Sequence, residues 1–187
     1  IFWLWLASVG SVAGAELAFD FSAVPPKQIP PGFTNLVAGK GKLGEWRVIT
    51  ADFPSALPSP NEKTPALTQR SVLGQFSMEV TDERFPILLY DRETFTDFTL
   101  TTKFKLVDGV VEQMAGIVFR AQDEKNFYVI RASGFGNNVR FYKVIAGLRS
   151  PPIGPELAIP RGRWHELKIE CRGNQIRAWL NGQDAIP

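Results

Sequence analysis

The chain has 187 residues, 44% of them hydrophobic and 21% charged, which fits one globular domain and excludes a disordered chain. Lys and Arg number 21 against 19 Asp and Glu, a net charge of +2, too even for a partner such as nucleic acid. One cysteine and one histidine exclude a disulfide framework and a metal cage built on those ligands, and 14 prolines with 16 glycines argue for turns over long helices.

Ile1 to Ala15 contains no Asp, Glu, Lys or Arg and ends in Ala13-Gly14-Ala15, a small-x-small pattern. The apolar run is short for a membrane span and reads as a signal peptide cleaved after Ala15. An uncleaved anchor or a buried first strand is the alternative. Without a basic n-region or initiator Met, the sequence reads as truncated at its start. Cleavage predicts a secreted or periplasmic protein with no membrane span, in which Cys171 has no intrachain partner. Its place in a strand pattern predicts a buried, inert thiol.

Residues 16–44 form a proline-rich N-terminal segment, with 22–34 extended as a tether or an edge wrapped on the domain. A sandwich domain is expected over 45–187. Glu45 to Thr50 predicts the first strand, and residues 51–65, with four prolines, predict a loop. Leu73, Phe76 and Val80 fit one face of a short helix over Val72–Met78.

From Phe95 onward the pattern alternates with period two. Phe98, Leu100, Thr102, Phe104 and Leu106 share one face of a strand, opposite Thr99, Thr101, Lys103 and Lys105. Further strands are expected over Gln113–Ala121, Asn126–Ser133 and Asn138–Ile145, the last two joined by a glycine-rich hairpin at residues 134–137. RWHELKIEC and NQIRAWL supply two more after a proline-rich loop. Many short antiparallel strands without a long repeat predict an all-β sandwich or barrel, with the sandwich favoured.

Pairing Ala121 with Asn126 makes partners sum to 247. Phe119 then meets Tyr128, Ile117 meets Ile130, and Ala115 meets Ala132, all facing the core. The next hairpin sets Ala132 against Val139 and Ile130 against Phe141. The outer face receives Val118 with Val129, Gly116 with Arg131, and Arg120 with Phe127, then Arg140 beside Arg131 and Tyr142 beside Val129. Arg120, Arg131, Arg140 and Tyr142 around Gly116 are therefore the candidate ligand-binding residues. Arginine offers planar forks of donors, tyrosine a plate with a polar tip, and a strand glycine admits close approach. Such a face suits sugar hydroxyls or an acidic group. The alternative is arginines that solvate the exposed side of a sheet, helped by Glu112.

His165 has the parity of Leu167, Ile169 and Cys171, so it reads as an inward structural histidine before a general base. Trp164 and Trp179, on the other parity, either stack on a sugar or pack under a loop. No spacing sets two acids for glycoside cleavage, and no Gly-x-Ser-x-Gly, P-loop, His-Glu-x-x-His or EF-hand loop occurs. No catalytic residue is assigned. No cofactor is expected, although Ca²⁺ held by scattered loop oxygens is compatible with the sequence.

EQMAGIVFRAQDEKNFYVIRA, then NNVRFYKVIAG and GRWHELKIECRGNQIRAWLNG, resemble the concanavalin A-like, laminin-G-type jelly roll. More narrowly, from about Trp46 to the end, they resemble the bacterial domain family named for 3-keto-disaccharide hydrolases. The resemblance implies an antiparallel jelly-roll β-sandwich and carbohydrate as partner. It leaves two functions open: a lectin-like binding module, or a glycoside hydrolase acting on 3-keto-disaccharides. A structural or protein-contact domain is a third reading. Related domains often read Asn-Ser-Gly in the segment equivalent to Gln113-Met114-Ala115-Gly116, where this chain has Met114-Ala115, and carry a carboxylate-bearing strand after "FR". The resemblance further implies strands beyond Asn181-Gly182, so the C-terminus also reads as truncated.

Overall fold

The computed structural model describes residues 16–54 and 67–186. The signal-peptide expectation lies outside the described residues, as does the proline-rich stretch 55–66. Among the described residues there are twelve strands and no helix, hence no helix long and apolar enough to cross a membrane. They are β1 (Phe33–Gly39), β2 (Trp46–Pro54), β3 (Leu67–Gln75), β4 (Arg84–Tyr90), β5 (Phe98–Lys105), β6 (Met114–Asp123), β7 (Asn126–Ser133), β8 (Asn138–Ile145), β9 (Leu148–Arg149), β10 (Trp164–Arg172), β11 (Gln175–Leu180) and β12 (Gln183–Ile186).

Two four-stranded antiparallel sheets make the sandwich, ordered β12-β11-β10-β5 and β6-β7-β8-β9. Their facing sides carry alternate apolar residues. Ile130, Ala132 and Val139 from one sheet meet Leu167, Ile169, Cys171 and Ala178 from the other in one cluster, and all seven are fully buried. Each such leucine or isoleucine contributes roughly 1.5–3 kcal/mol through burial. This is the jelly-roll type of β-sandwich expected. Leu100, opposite the buried Ile169, is itself 38% exposed because β5 is an edge strand.

The register from Met114↔Ser133 to Phe119↔Tyr128 follows the 247 sum, and β7 pairs with β8 as expected, Ile130 against Phe141. The end of the β6–β7 hairpin is different. Asp123, not Ala121, opposes Asn126, and the ladder shifts between Phe119 and Asp123. The cause is the turn: the Asp123 carboxylate accepts from Lys125 N at 2.7 Å and from Asn126 Nδ2 at 2.9 Å, which closes a tight connection. The surplus residues form a bulge in which Arg120 adopts φ 51°, so Arg120 does not face Phe127.

Three expectations upstream are corrected. The helix expected over Val72–Met78 is absent: β3 pairs with β2 from Trp46↔Gln75 to Pro54↔Leu67. Three residues of helical period carry less weight than nine cross-strand partners, and Thr68 and Val72 suit a strand. Residues 51–54, expected in a loop, belong to β2, which runs through Pro54, and the rest of that expected loop falls within 55–66, outside the described residues. A strand also precedes the expected first one, β1, which pairs with β4 along seven residues.

The N-terminal segment wraps on the domain. Lys27 N donates to Val48 O at 2.9 Å, Val48 N to Gln28 O at 3.0 Å, and Phe19 packs on Tyr90 and Phe33.

Candidate functional site

The outer face of β6-β7-β8 is built in rows across the strands. The first row, Phe127 and Val144, is buried under the β1–β4 ribbon together with Ala38 and Ile87. Val118, Val129 and Tyr142 form the second row, at the edge of that cover. Gly116, Arg131 and Arg140 make the third; Gly116 is exposed and both arginines are half-buried. The expected outer face is therefore half closed by a ribbon that sequence reading did not find. The remaining half holds four of the five candidate residues.

Arg131 is fixed by its neighbours. Its Nη1 donates to Asn138 Oδ1, its Nη2 donates to Tyr142 OH at 3.3 Å, and its guanidinium lies 5.7 Å from the Tyr142 ring centre. Arg149 stands 5.8 Å from the same ring and 5.5 Å from Phe85, linking the site to the ribbon. A tyrosine between two guanidiniums offers its hydroxyl and edge more readily than a bare stacking face.

Arg140 has a different role. Its Nη1 donates to Gly154 O at 2.6 Å and Pro155 O at 2.8 Å, and its Nη2 pairs with Glu156. These bonds hold the proline-rich segment along β8, where Phe141 and Ile153 also exchange backbone bonds. Little donor capacity is left for a ligand.

Arg120 leaves the group altogether. From its bulge it donates to Gly173 O in the β10–β11 turn and lies 5.5 Å from the Tyr128 ring centre. It lines a cleft of about 680 Å³ at the end of the sandwich, with Tyr128, Lys143 and Arg177. Sequence reasoning missed this cleft because the bulge, set by Asp123, reverses the direction expected for Arg120.

His165 is buried and inward as expected. Its Nε2 meets Pro160 O at 2.9 Å, and its Nδ1 accepts from Asn181 Nδ2 at 3.1 Å, so both ring nitrogens have structural partners. Trp164 packs on Phe53 at 4.6 Å and donates to Asp52 O at 3.0 Å, so it supports β2. Trp179 lies on the far sheet between Lys168 and Arg177. Two carboxylates stand at the rim of the open rows, each already paired: Glu156 with Arg140, and Glu83 with Lys40 and Arg149. Among the described residues, no three His, Cys, Asp or Glu side chains group closely enough to hold a metal ion.

The family described as a 3-keto-alpha-glucoside-1,2-lyase-like domain matches residues 32–186. The chain belongs to this family. The match takes in β1, which the sequence resemblance from Trp46 had left out, so the β1–β4 ribbon is part of the lyase-like domain. Among solved structures, the carbohydrate-binding module CBM66 from Bacillus subtilis is similar at 18% identity. That likeness covers 75% of this chain and 76% of that one, with a TM-score of 0.47. Among the curated proteins, none matches the chain.

Proposed function

We propose that the chain is a carbohydrate-binding module that holds sugar hydroxyls on the open rows of β6-β7-β8. The carrying observation is the bonded group of Arg131, Asn138 and Tyr142 beside the exposed backbone of Gly116. It presents oriented donors and acceptors on the solvent side of the sheet, which suits a polyhydroxylated ligand, while Gly116 lets β7 approach closely, since a β-carbon there would meet Ile130 O at 2.4 Å. The family description, which names a keto-glucoside lyase, supports a sugar as the ligand.

Bond cleavage is the competing reading. Hydrolysis asks for two facing carboxyl groups, and elimination next to a keto group asks for a base near the proton to be removed. Arg131, Tyr142 and Asn138 supply donors and no strong base at neutral pH, and the rim carboxylates are engaged by cations. Export under the apolar segment at residues 1–15 belongs to the same proposal.

The test incubates the protein with 3-keto-disaccharides and ordinary disaccharides, follows sugar release, and titrates the same sugars by calorimetry. Binding without release supports the module. Release that Arg131→Ala abolishes would establish the enzyme, and no binding to any glycan would favour a structural domain.

A further inference from the structure

Charge is unevenly matched across the open rows. Arg131 and Arg140 stand directly opposite each other on β7 and β8, an arrangement that costs stability unless each charge is met. Arg140 is met by Glu156. Arg131 is not: among the described residues it makes no ion pair, and its bonded partners are an amide, Asn138, and a phenol, Tyr142. A half-buried guanidinium without an opposite charge carries a desolvation cost that an anion from outside would offset.

That guanidinium is held in place. The Asn138 amide is itself fixed, donating from Nδ2 to Gly136 O at 2.8 Å, so its Oδ1 sets the direction of Arg131. Asn138 and Tyr142 engage two of the five N–H donors of Arg131, which leaves the others for a ligand. A second cation reaches the same tyrosine. Arg149 is exposed, 5.8 Å from the Tyr142 ring centre, and its Nη2 is 3.7 Å from Glu83, whose other oxygen bonds Lys40 Nζ at 3.1 Å. One carboxylate thus serves two cations, and Arg149 is loosely held. The group sits inside the sheet: β8 has β7 on one side, and β9 with the segment at Ile153 and Glu156 on the other.

We propose that the sugar held on these rows is acidic: its carboxylate lies on Arg131 and draws Arg149 away from Glu83. The planar fork of a guanidinium matches a carboxylate through two parallel bonds. Tyr142 OH accepts from Arg131 and keeps its own proton to donate to a neighbouring sugar hydroxyl. That the ligand is a saccharide rests on the reading above, whereas its negative charge rests on the unmatched Arg131.

The experiment titrates the protein by calorimetry with trigalacturonate and with its methyl ester, the same sugar without the charge, at low and at physiological salt. The acid should bind at least about tenfold tighter at low salt, and the advantage should shrink as salt screens the cations. Glu83 and Arg149 are exposed, so Glu83→Gln and Arg149→Gln keep the fold. Arg149→Gln should weaken acid binding about threefold. Glu83→Gln removes the competing carboxylate and should tighten acid binding about threefold, a gain that damage to the fold cannot imitate. Equal affinity for acid and ester, both lowered by Arg131→Ala, overturns the acidic ligand and leaves the sugar site standing. Acid binding that Arg131→Ala leaves unchanged overturns both. Failure of the acid to bind, or no gain from Glu83→Gln, also overturns the proposal.

Discussion

Tyr142 accepts a hydrogen bond from Arg131 at 3.3 Å although the two are diagonal neighbours: Arg131 pairs with Arg140 across the ladder, and Tyr142 with Val129. The contact joins the open row to the row at the ribbon edge. If these groups meet the ligand, Arg131→Ala and Tyr142→Ala should each weaken sugar binding about tenfold, the effect of losing one charge-assisted hydrogen bond. Melting temperatures should hardly move, because both side chains lie on the solvent side of the sheet. Tyr142→Phe separates the hydroxyl from the ring. Calorimetric affinities equal to those of the unchanged protein for both alanine variants would remove the site from these rows.

Arg140 predicts the opposite pattern. Its guanidinium is the common partner of Gly154 O, Pro155 O and Glu156, so its loss frees the segment that covers the edge of β8. Arg140→Ala should destabilise the domain by about 2 kcal/mol, read as a melting point lower by roughly 4–8 °C. Arg140→Lys should recover little, since a point charge cannot reach three divergent acceptors. A melting curve unchanged by Arg140→Ala would show that the segment is held without it.

The sandwich was legible wherever apolar residues alternate. β7 and β8 have the expected bounds, and Ile117, Phe119, Ile130 and Phe141 face inward as alternation requires. The β1–β4 ribbon was not legible, because Phe33–Gly39 follows prolines and its partner lies about fifty residues away. No local pattern records that pairing. Nor does alternation encode how far an arginine reaches. Arg131 and Arg140 sit side by side with the expected parity, yet one lies on the open face and the other clamps a loop. Arg120 shows a third limit: a turn closed three residues later by Asp123 changes the register and sends the side chain elsewhere.

Asp123 carries a pH prediction. The Asn126 side-chain amide, followed by Lys125 N–H, holds its carboxyl below the ordinary value of 3.8. A depressed folded-state pKa stabilises the fold fully above the unfolded value and loses that effect as pH falls through the folded one. The β6–β7 turn should therefore loosen only below about pH 4. Asp123→Asn keeps an oxygen acceptor and cannot titrate. Amide exchange or chemical shifts of Lys125 and Asn126, followed from pH 6 to 3, should change in the native chain and stay flat in the variant. The same acid response in both would assign it to another carboxylate.

Cys171 lies between Phe98 on β5 and Ile176 on β11, fully buried in the sandwich core. Burial pushes its thiol above the ordinary value of 9.0, and nearby Arg120 only partly opposes this. The net upward shift suppresses the thiolate, the species that reacts with disulfide reagents and alkylating agents. Exposure requires β10 to separate from a neighbour, which opens the core itself. Native protein at pH 8 should therefore label at least about 10³-fold more slowly than protein in denaturant, with a rate set by opening. Cys171→Ala should fold with a modest loss of stability. Cys171→Ser should lose about 1–3 kcal/mol more, because a hydroxyl there has apolar neighbours and no acceptor designed for it. Labelling of the native protein within the mixing time would mean that β10 is not held between β5 and β11, and the packed interface of the two sheets would have to be redrawn.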